Sequence, residues 1–282
     1  MTIQWFPGHM AKAKRQVAEK LQHVDIVLEL VDGRLPISSR NPMLDQILQQ
    51  KPRLVLINKA DLADPAQTKK WENYFKQQGF GALAINSQDN KGGKSILPKA
   101  KEVLAEKLKK EQEKGLKPRA IRAMVIGIPN VGKSTLLNRL AGKKLAKTGN
   151  LPGVTKGQQW IRYKKDLELL DTPGILWPKF EDQETGKKLA LTGAIKEQLL
   201  QQDDIAIYGL DFFMQFYPEQ LATRYQLSQE DLQLSIPELL MLITQKQGFQ
   251  EDYDKGSQRV IHDIREGKLG RFTLDRYEET SK

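Results

Sequence analysis

The chain contains no cysteine, which removes disulfides, thiolate metal sites, iron–sulfur clusters and cysteine nucleophiles together. Histidine is almost as scarce, with His9, His23 and His262 alone. No stretch approaches the roughly 18 consecutive apolar residues of a membrane span, and the amino terminus lacks the apolar core of a secretion signal, so a cytoplasmic protein is expected. What is present is ordinary globular material: 282 residues, 39% hydrophobic and 28% charged, enough for two domains with real cores. The formal charge of +10 is unevenly divided, with a net +16 in residues 1–177 and −6 in the remainder. An excess of that size on one half favours a polyanion such as RNA, although it is also compatible with a merely soluble basic surface.

Apolar runs at 25–31, 53–57, 82–85 and 122–126 alternate with helical patterns at 10–23, 43–49, 68–77, 96–114 and 133–141, the signature of a parallel sheet covered by helices. Segments 160–163 and 167–170, separated by Lys164-Lys165-Asp166, read as an antiparallel hairpin. The Lys- and Glu-rich stretch 106–119 predicts a solvated helix running into a linker. Beyond about residue 180 the pattern becomes helical, at 189–200, 205–216 and 238–244. The expected architecture is α/β: residues 1–178 form the sheet domain with an N-terminal basic arm, and 179–282 form a small all-helical domain.

Gly127-Ile-Pro-Asn130-Val131-Gly132-Lys133-Ser134 has the spacing of a phosphate loop, with a strand before it and a helix, opening at Lys133-Ser134-Thr135, after it. Its glycines let backbone N–H groups face phosphate oxygens at a helix N-terminus. Lys133 is placed to bridge the β and γ phosphates, and the Ser134 hydroxyl to bind Mg2+. Asp171-Thr-Pro-Gly174 follows the last hairpin strand, setting Asp171 for the magnesium and the Gly174 amide for the γ phosphate. Thr155, in Leu151-Pro-Gly-Val-Thr155, is the candidate switch residue that closes on Mg2+ when a γ phosphate is present.

Asn58-Lys59-Ala-Asp61 follows the second predicted strand. A carboxylate can accept from both the ring N–H and the exocyclic amine of guanine, a donor pair that adenine lacks. Asp61 therefore points to GTP and GDP and opposes an ATP-using kinase. Lys59 can lay its stem along the base, and Asn58 can tie this loop to the phosphate loop. Asn86-Ser87, at a further strand end, is placed to offer backbone N–H to the guanine carbonyl. The tetrad thus precedes the phosphate loop, the reverse of the order in ordinary small GTPases, and the chain reads as circularly permuted with its joint near 106–119.

With these motifs, the opening Gln4-Trp-Phe-Pro-Gly-His9, the segment Ser38-Ser-Arg-Asn-Pro42 and Leu176-Trp177-Pro178-Lys-Phe180, the chain resembles the circularly permuted GTPases of bacterial ribosome biogenesis over essentially its whole length. The resemblance implies a circularly permuted P-loop GTPase domain and a helical domain similar to that of RNA-binding antitermination regulators. It implies binding to late precursors of the large ribosomal subunit and their rRNA in the GTP form, with slow hydrolysis stimulated by the particle. A monomer is expected, associated with ribosomes and with neither DNA nor membrane. The alternative is a GTP-gated RNA-binding module whose hydrolysis is incidental. A tRNA-modifying GTPase would want the cysteine chemistry that is missing. The position after Gly174 is Ile175, which cannot orient a water; the resemblance nominates His9 as its replacement and Asn130 as a ligand for K+ between the phosphates. Basic residues Arg259, Arg265, Lys268 and Arg271 are the helical half's candidates for rRNA contact.

Overall fold

The computed structural model describes residues 15, 17–142, 160–172, 182–195 and 201–277, the side chains of 90–92 excepted. They form two compact units, one holding the residues before 180 together with 275–277, the other those up to Leu274. The sequence assigns 275–277 to the helical half; in the structure they pack on the sheet-bearing unit.

That unit is built on β1 (Ile26–Asp32), β2 (Arg53–Asn58), β3 (Gly81–Ala84), β4 (Ile121–Ile126), β5 (Trp160–Tyr163) and β6 (Leu167–Asp171). The sheet order is β3-β2-β1-β4-β6-β5, with β5 antiparallel to β6 and every other pairing parallel. Strands covered on both faces are predominantly apolar, and all seven residues of β1 and all six of β2 are buried. On the face of Val27 and Val31 lie α1 (Pro42–Leu48), through Leu44 and Leu48, and α2 (Pro65–Gln77), through Trp71 and Phe75. Glu29, on the same face, is buried between these two apolar clusters, where Arg40 and Arg53 pair with it. A buried carboxylate needs such partners to remain charged.

The opposite face carries α3 (Asn90–Val103), whose Val103 lies against Gly81, while α5 (Lys133–Ala141) packs on β5 and β6. The helix expected over 96–114 is two helices. Leu104, buried, leaves helical geometry with φ −95° and ψ 7°, and α4 (Ala105–Glu113) follows with no buried side chain, the solvated helix that its charge pattern requires.

The second unit comprises α6 (Gln183–Leu191), α7 (Gln202–Phe216), α8 (Pro218–Tyr225), α9 (Ile236–Lys246) and α10 (Tyr253–Arg265). α7 is central, packing on α6, α8, α9 and α10. α9 opens with a reciprocal Ser235–Glu238 capping box and carries Pro237 in its first turn, with Gly248 just past its end. α8 and α10 are absent from the sequence reading. In α10 the pattern is masked by Gly256, which the packing demands, since a Cβ there would overlap the Thr244 hydroxyl of α9. Asp263, wholly buried, draws in Arg224, Arg259 and Lys268. Arg265 donates to the carbonyls of Ala190 and Leu191 at the end of α6, where a helix favours a cation. Three of the four basic groups offered for rRNA therefore hold the helical unit together, and Arg271 is exposed.

Candidate guanine nucleotide site

The phosphate loop connects the end of β4 at Ile126 to the start of α5 at Lys133. Asn130 and Gly132 both have left-handed backbones, with φ of 58° and 105°. At Gly132 any side chain would run into the amide of Asn58 as well as the strained φ, so this position requires glycine twice over. Val131 is buried, and Ser134 and Thr135 stand half-buried in the first turn of α5. Lys133 folds back over the loop, its ammonium donating to the carbonyls of Gly127 at 2.9 Å and Ile128 at 2.7 Å. Burial pushes its pKa down to about 8, with Asp171 opposing the shift.

Asp171 ends β6 beside Val125 of β4. The next residue, Thr172, donates its hydroxyl to the Val125 carbonyl at 2.6 Å and fixes the exit of the strand. Burial raises the Asp171 carboxyl to about 6, with Lys133 and the Thr172 amide opposing the shift. Its Oδ1 is buried and accepts no hydrogen bond from the described residues. A desolvated carboxylate oxygen without a donor costs free energy unless a cation completes it. An oxygen of this kind suits a hard divalent cation. Among the described residues there is no cluster of three or more acidic or histidine side chains to compete for a metal.

The tetrad loop leaves β2 at Asn58, which is fully buried and joins three segments. Its amide donates to the Val131 carbonyl at 2.7 Å and to the Ser87 hydroxyl at 3.2 Å, and its Oδ1 accepts from the Ser87 N–H at 2.9 Å. Base-reading and phosphate-binding loops are thereby locked in register, as the sequence suggests for Asn58. The same bonds change the reading of the Asn86–Ser87 pair: the Ser87 N–H is committed to Asn58, and Asn86 Oδ1 accepts from the Gln88 N–H. Lys59 has φ 58°, the Ala60 N–H donates to the Ile85 carbonyl, and Asp61 is left exposed.

One part of the site escapes the sequence reading. The ammonium of Lys59 lies 2.9 Å from Asp32 Oδ2 at the end of β1, and Asp32 also takes a two-pronged pair from the buried Arg34. Burial would raise Asp32, but Arg34 and Lys59 outweigh it and hold the carboxyl well below the usual range. Burial, reinforced by Arg34, lowers Lys59 against the pull of Asp32. The available signal is a charged pair, Asp32-Gly-Arg34, closing a predominantly apolar strand. His9, Thr155 and Gly174 lie outside the described residues, as does the segment 176–180.

A phosphate loop with a buried lysine, a strand-end carboxylate beside it and an Asn-Lys-x-Asp tetrad that precedes both in the chain describe a P-loop GTPase with permuted connectivity. Residues 122–245 match the family described as 50S ribosome-binding GTPase; that span begins in β4 and leaves out Asn58–Asp61, as the permuted order dictates. The chain is 57% identical to ribosome biogenesis GTPase A of Priestia megaterium, over 98% of this chain and 97% of that protein. It is 32% identical to mitochondrial ribosome-associated GTPase 1 of Xenopus tropicalis, over 96% and 94%. Among solved structures, GDP-bound YlqF ("TM YlqF") superposes with a TM-score of 0.68 at 26% identity, covering 94% of this chain and all of that one. GNP-bound YlqF from T. maritima gives 0.65 at 27%, covering 94% and 98%. The chain belongs to the ribosome biogenesis GTPase A family. It hydrolyses GTP, and among its described residues no helix is long and apolar enough to cross a membrane.

Proposed function

We propose that this GTPase is an assembly factor that binds late precursors of the large ribosomal subunit in its GTP form and leaves after hydrolysis. The observation that carries the reading is likeness along the whole chain to ribosome biogenesis GTPases, and the +16 charge of residues 1–177 supplies the attraction to rRNA. Within the site, Ser134 and Asp171, with Thr155, would hold Mg2+, which neutralises phosphate charge when bound. Lys133 already sits desolvated at the phosphate-binding loop, so its charge acts there at little reorganisation cost. Since Ile175 cannot orient water, hydrolysis alone is slow and the particle accelerates it. Sedimentation with precursor and mature large subunits tests this. With a non-hydrolysable GTP analogue the protein should travel with the precursor, with GDP it should not, and binding should weaken as salt rises. Equal binding in both nucleotide states would overturn the reading, and turnover indifferent to particles would favour an RNA-binding module with incidental hydrolysis.

We also propose that Asn130 helps hold K+ between the phosphates, where the ion offsets developing charge in place of an arginine finger. Asn130 stands in the turn of the phosphate loop with a left-handed backbone that a short amide side chain tolerates. Replacing K+ by Na+ at fixed ionic strength should slow turnover by roughly tenfold or more, and Asn130→Ala should abolish the difference. Equal rates in the two salts would remove the ion from the mechanism.

A further inference from the structure

The last described residues of the chain run from the helical unit to the nucleotide-binding unit. Phe272 packs on Phe213 with ring centroids 5.0 Å apart, the Thr273 N–H donates to the Tyr217 hydroxyl, and Leu274 is buried, all within the helical unit. The next residue belongs to the nucleotide-binding unit. Asp275 Oδ2 accepts from the N–H groups of Ile37 at 2.9 Å and Ser38 at 2.7 Å, and Oδ1 accepts from the Ser38 hydroxyl at 2.7 Å. The Asp275 carbonyl accepts from Trp71 Nε1 at 2.8 Å. The Tyr277 N–H donates to Gln67 Oε1 at 2.8 Å, its ring meets Trp71 edge-on at 5.2 Å, and Arg276 reaches Asp64 at 3.4 Å.

The two segments gripped in this way flank the tetrad. Residues 37 and 38 adjoin Ser39, whose hydroxyl accepts from the Asp32 N–H at 2.9 Å, and Asp32 holds Lys59. In the same loop the Gly33 N–H donates to the Asn58 carbonyl at 2.6 Å, and a Cβ on Gly33 would stand only 3.0 Å from that oxygen and from Ala63. On the other side, Asp64 caps α2 three residues beyond Asp61, with Gln67 and Trp71 further along the same helix. A carboxylate accepting three donors at once, two of them backbone amides, is a strong fastener.

We infer that Asp275 is a positioning residue for guanine nucleotide binding. The segment from Asp275 to Tyr277 is a latch that holds the base-reading loop in its binding geometry, and its release speeds nucleotide dissociation. The inference rests on the GTP site alone and not on the ribosomal reading.

The test is the dissociation rate of a fluorescent GDP analogue from the full-length protein, with the unmodified protein alongside and single-turnover hydrolysis of bound GTP as a second measurement. Asp275→Ala should release GDP roughly tenfold faster while the single-turnover rate stays within about twofold, and Asp275→Asn, which keeps one acceptor, should recover part of the loss. Ser39→Ala should act through the same relay, so its combination with Asp275→Ala should fall well short of the product of the single effects. If Asp275→Ala does not fold, Ser38→Ala, which removes one of the three bonds, should still raise the rate about two- to fivefold. GDP release unchanged in the folded variants, or strictly multiplicative effects of Ser39→Ala and Asp275→Ala, would overturn the latch.

Discussion

Lys133→Ala is expected to abolish useful nucleotide binding and yet leave the protein folded. The ammonium is buried and fixed on two loop carbonyls, so a triphosphate that enters meets a charge whose desolvation was completed during folding. Removing it should weaken GTP and GDP by roughly 10²–10³-fold, the size expected when one partner of a buried, hydrogen-bonded charge pair is truncated. Stability should respond differently. With its pKa pulled down to about 8 by burial, the folded protein at neutral pH holds a charge that water would accommodate better. Sign matters here: a lysine whose folded pKa lies below its unfolded value disfavours the fold while charged, and that burden lifts as pH rises through the folded pKa. The nucleotide-free variant should therefore unfold within roughly 5 °C of the parent, or above it. Isothermal titration with GDP and thermal unfolding of the same sample check both halves. GDP affinity within a few fold of the parent would refute the assignment of Lys133 to the phosphates, and a large fall in the midpoint would give it a structural role instead.

Which features could be read in advance follows from the distance over which each is encoded. β1, β2 and β4 are predominantly apolar runs because their residues are buried almost throughout, so a local pattern suffices to reveal them. The functional loops are legible for a related reason: Gly132 and Lys133 follow β4, Asn58 and Asp61 follow β2, and Asp171 ends β6. In a parallel sheet all these ends lie along one edge, so motifs scattered over more than a hundred positions converge. What escaped is encoded by contacts rather than patterns. Asp275 and Ser38 are 237 residues apart and nothing near either announces the other. Arg34 looks like a surface cation until Asp32 and the walls around it are seen. The break at Leu104 lies inside a run, 99–113, that holds neither glycine nor proline. Gly256 weakens the pattern of α10 for a packing reason located on α9. Arg259, Arg265 and Lys268 likewise carry a role that no local pattern shows, since Asp263 and the carbonyls at the end of α6 take up their charge within the helical unit.

Asp61→Asn is expected to change which base the protein accepts. The local geometry isolates the effect: Asp61 is exposed, while the loop beneath it is held by the Ala60–Ile85 and Leu62–Lys59 backbone bonds and by buried Asn58. Exchange of one carboxylate oxygen for an amide NH2 therefore leaves the loop in place and alters only what it presents. A carboxylate accepts from both the ring N–H and the exocyclic amine of guanine. An asparagine offers one acceptor and one donor, so it faces the guanine amine with a donor of its own and leaves a hydrogen bond unmade. Sites built on paired hydrogen bonds discriminate strongly, and GTP should weaken by roughly 10²–10³-fold. Xanthine carries a carbonyl where guanine has its amine, and that oxygen can accept from the new NH2 while the ring N–H still finds the remaining acceptor. Xanthosine triphosphate should thus bind the variant more tightly than GTP does, reversing the order found in the parent. The two nucleotides are compared by competition against a fluorescent GDP analogue on the parent and by direct titration on the variant, with Mg2+ held constant. Asp61 would lose its place as the base reader if GTP affinity survived the substitution, or if it fell with no gain for the xanthine nucleotide.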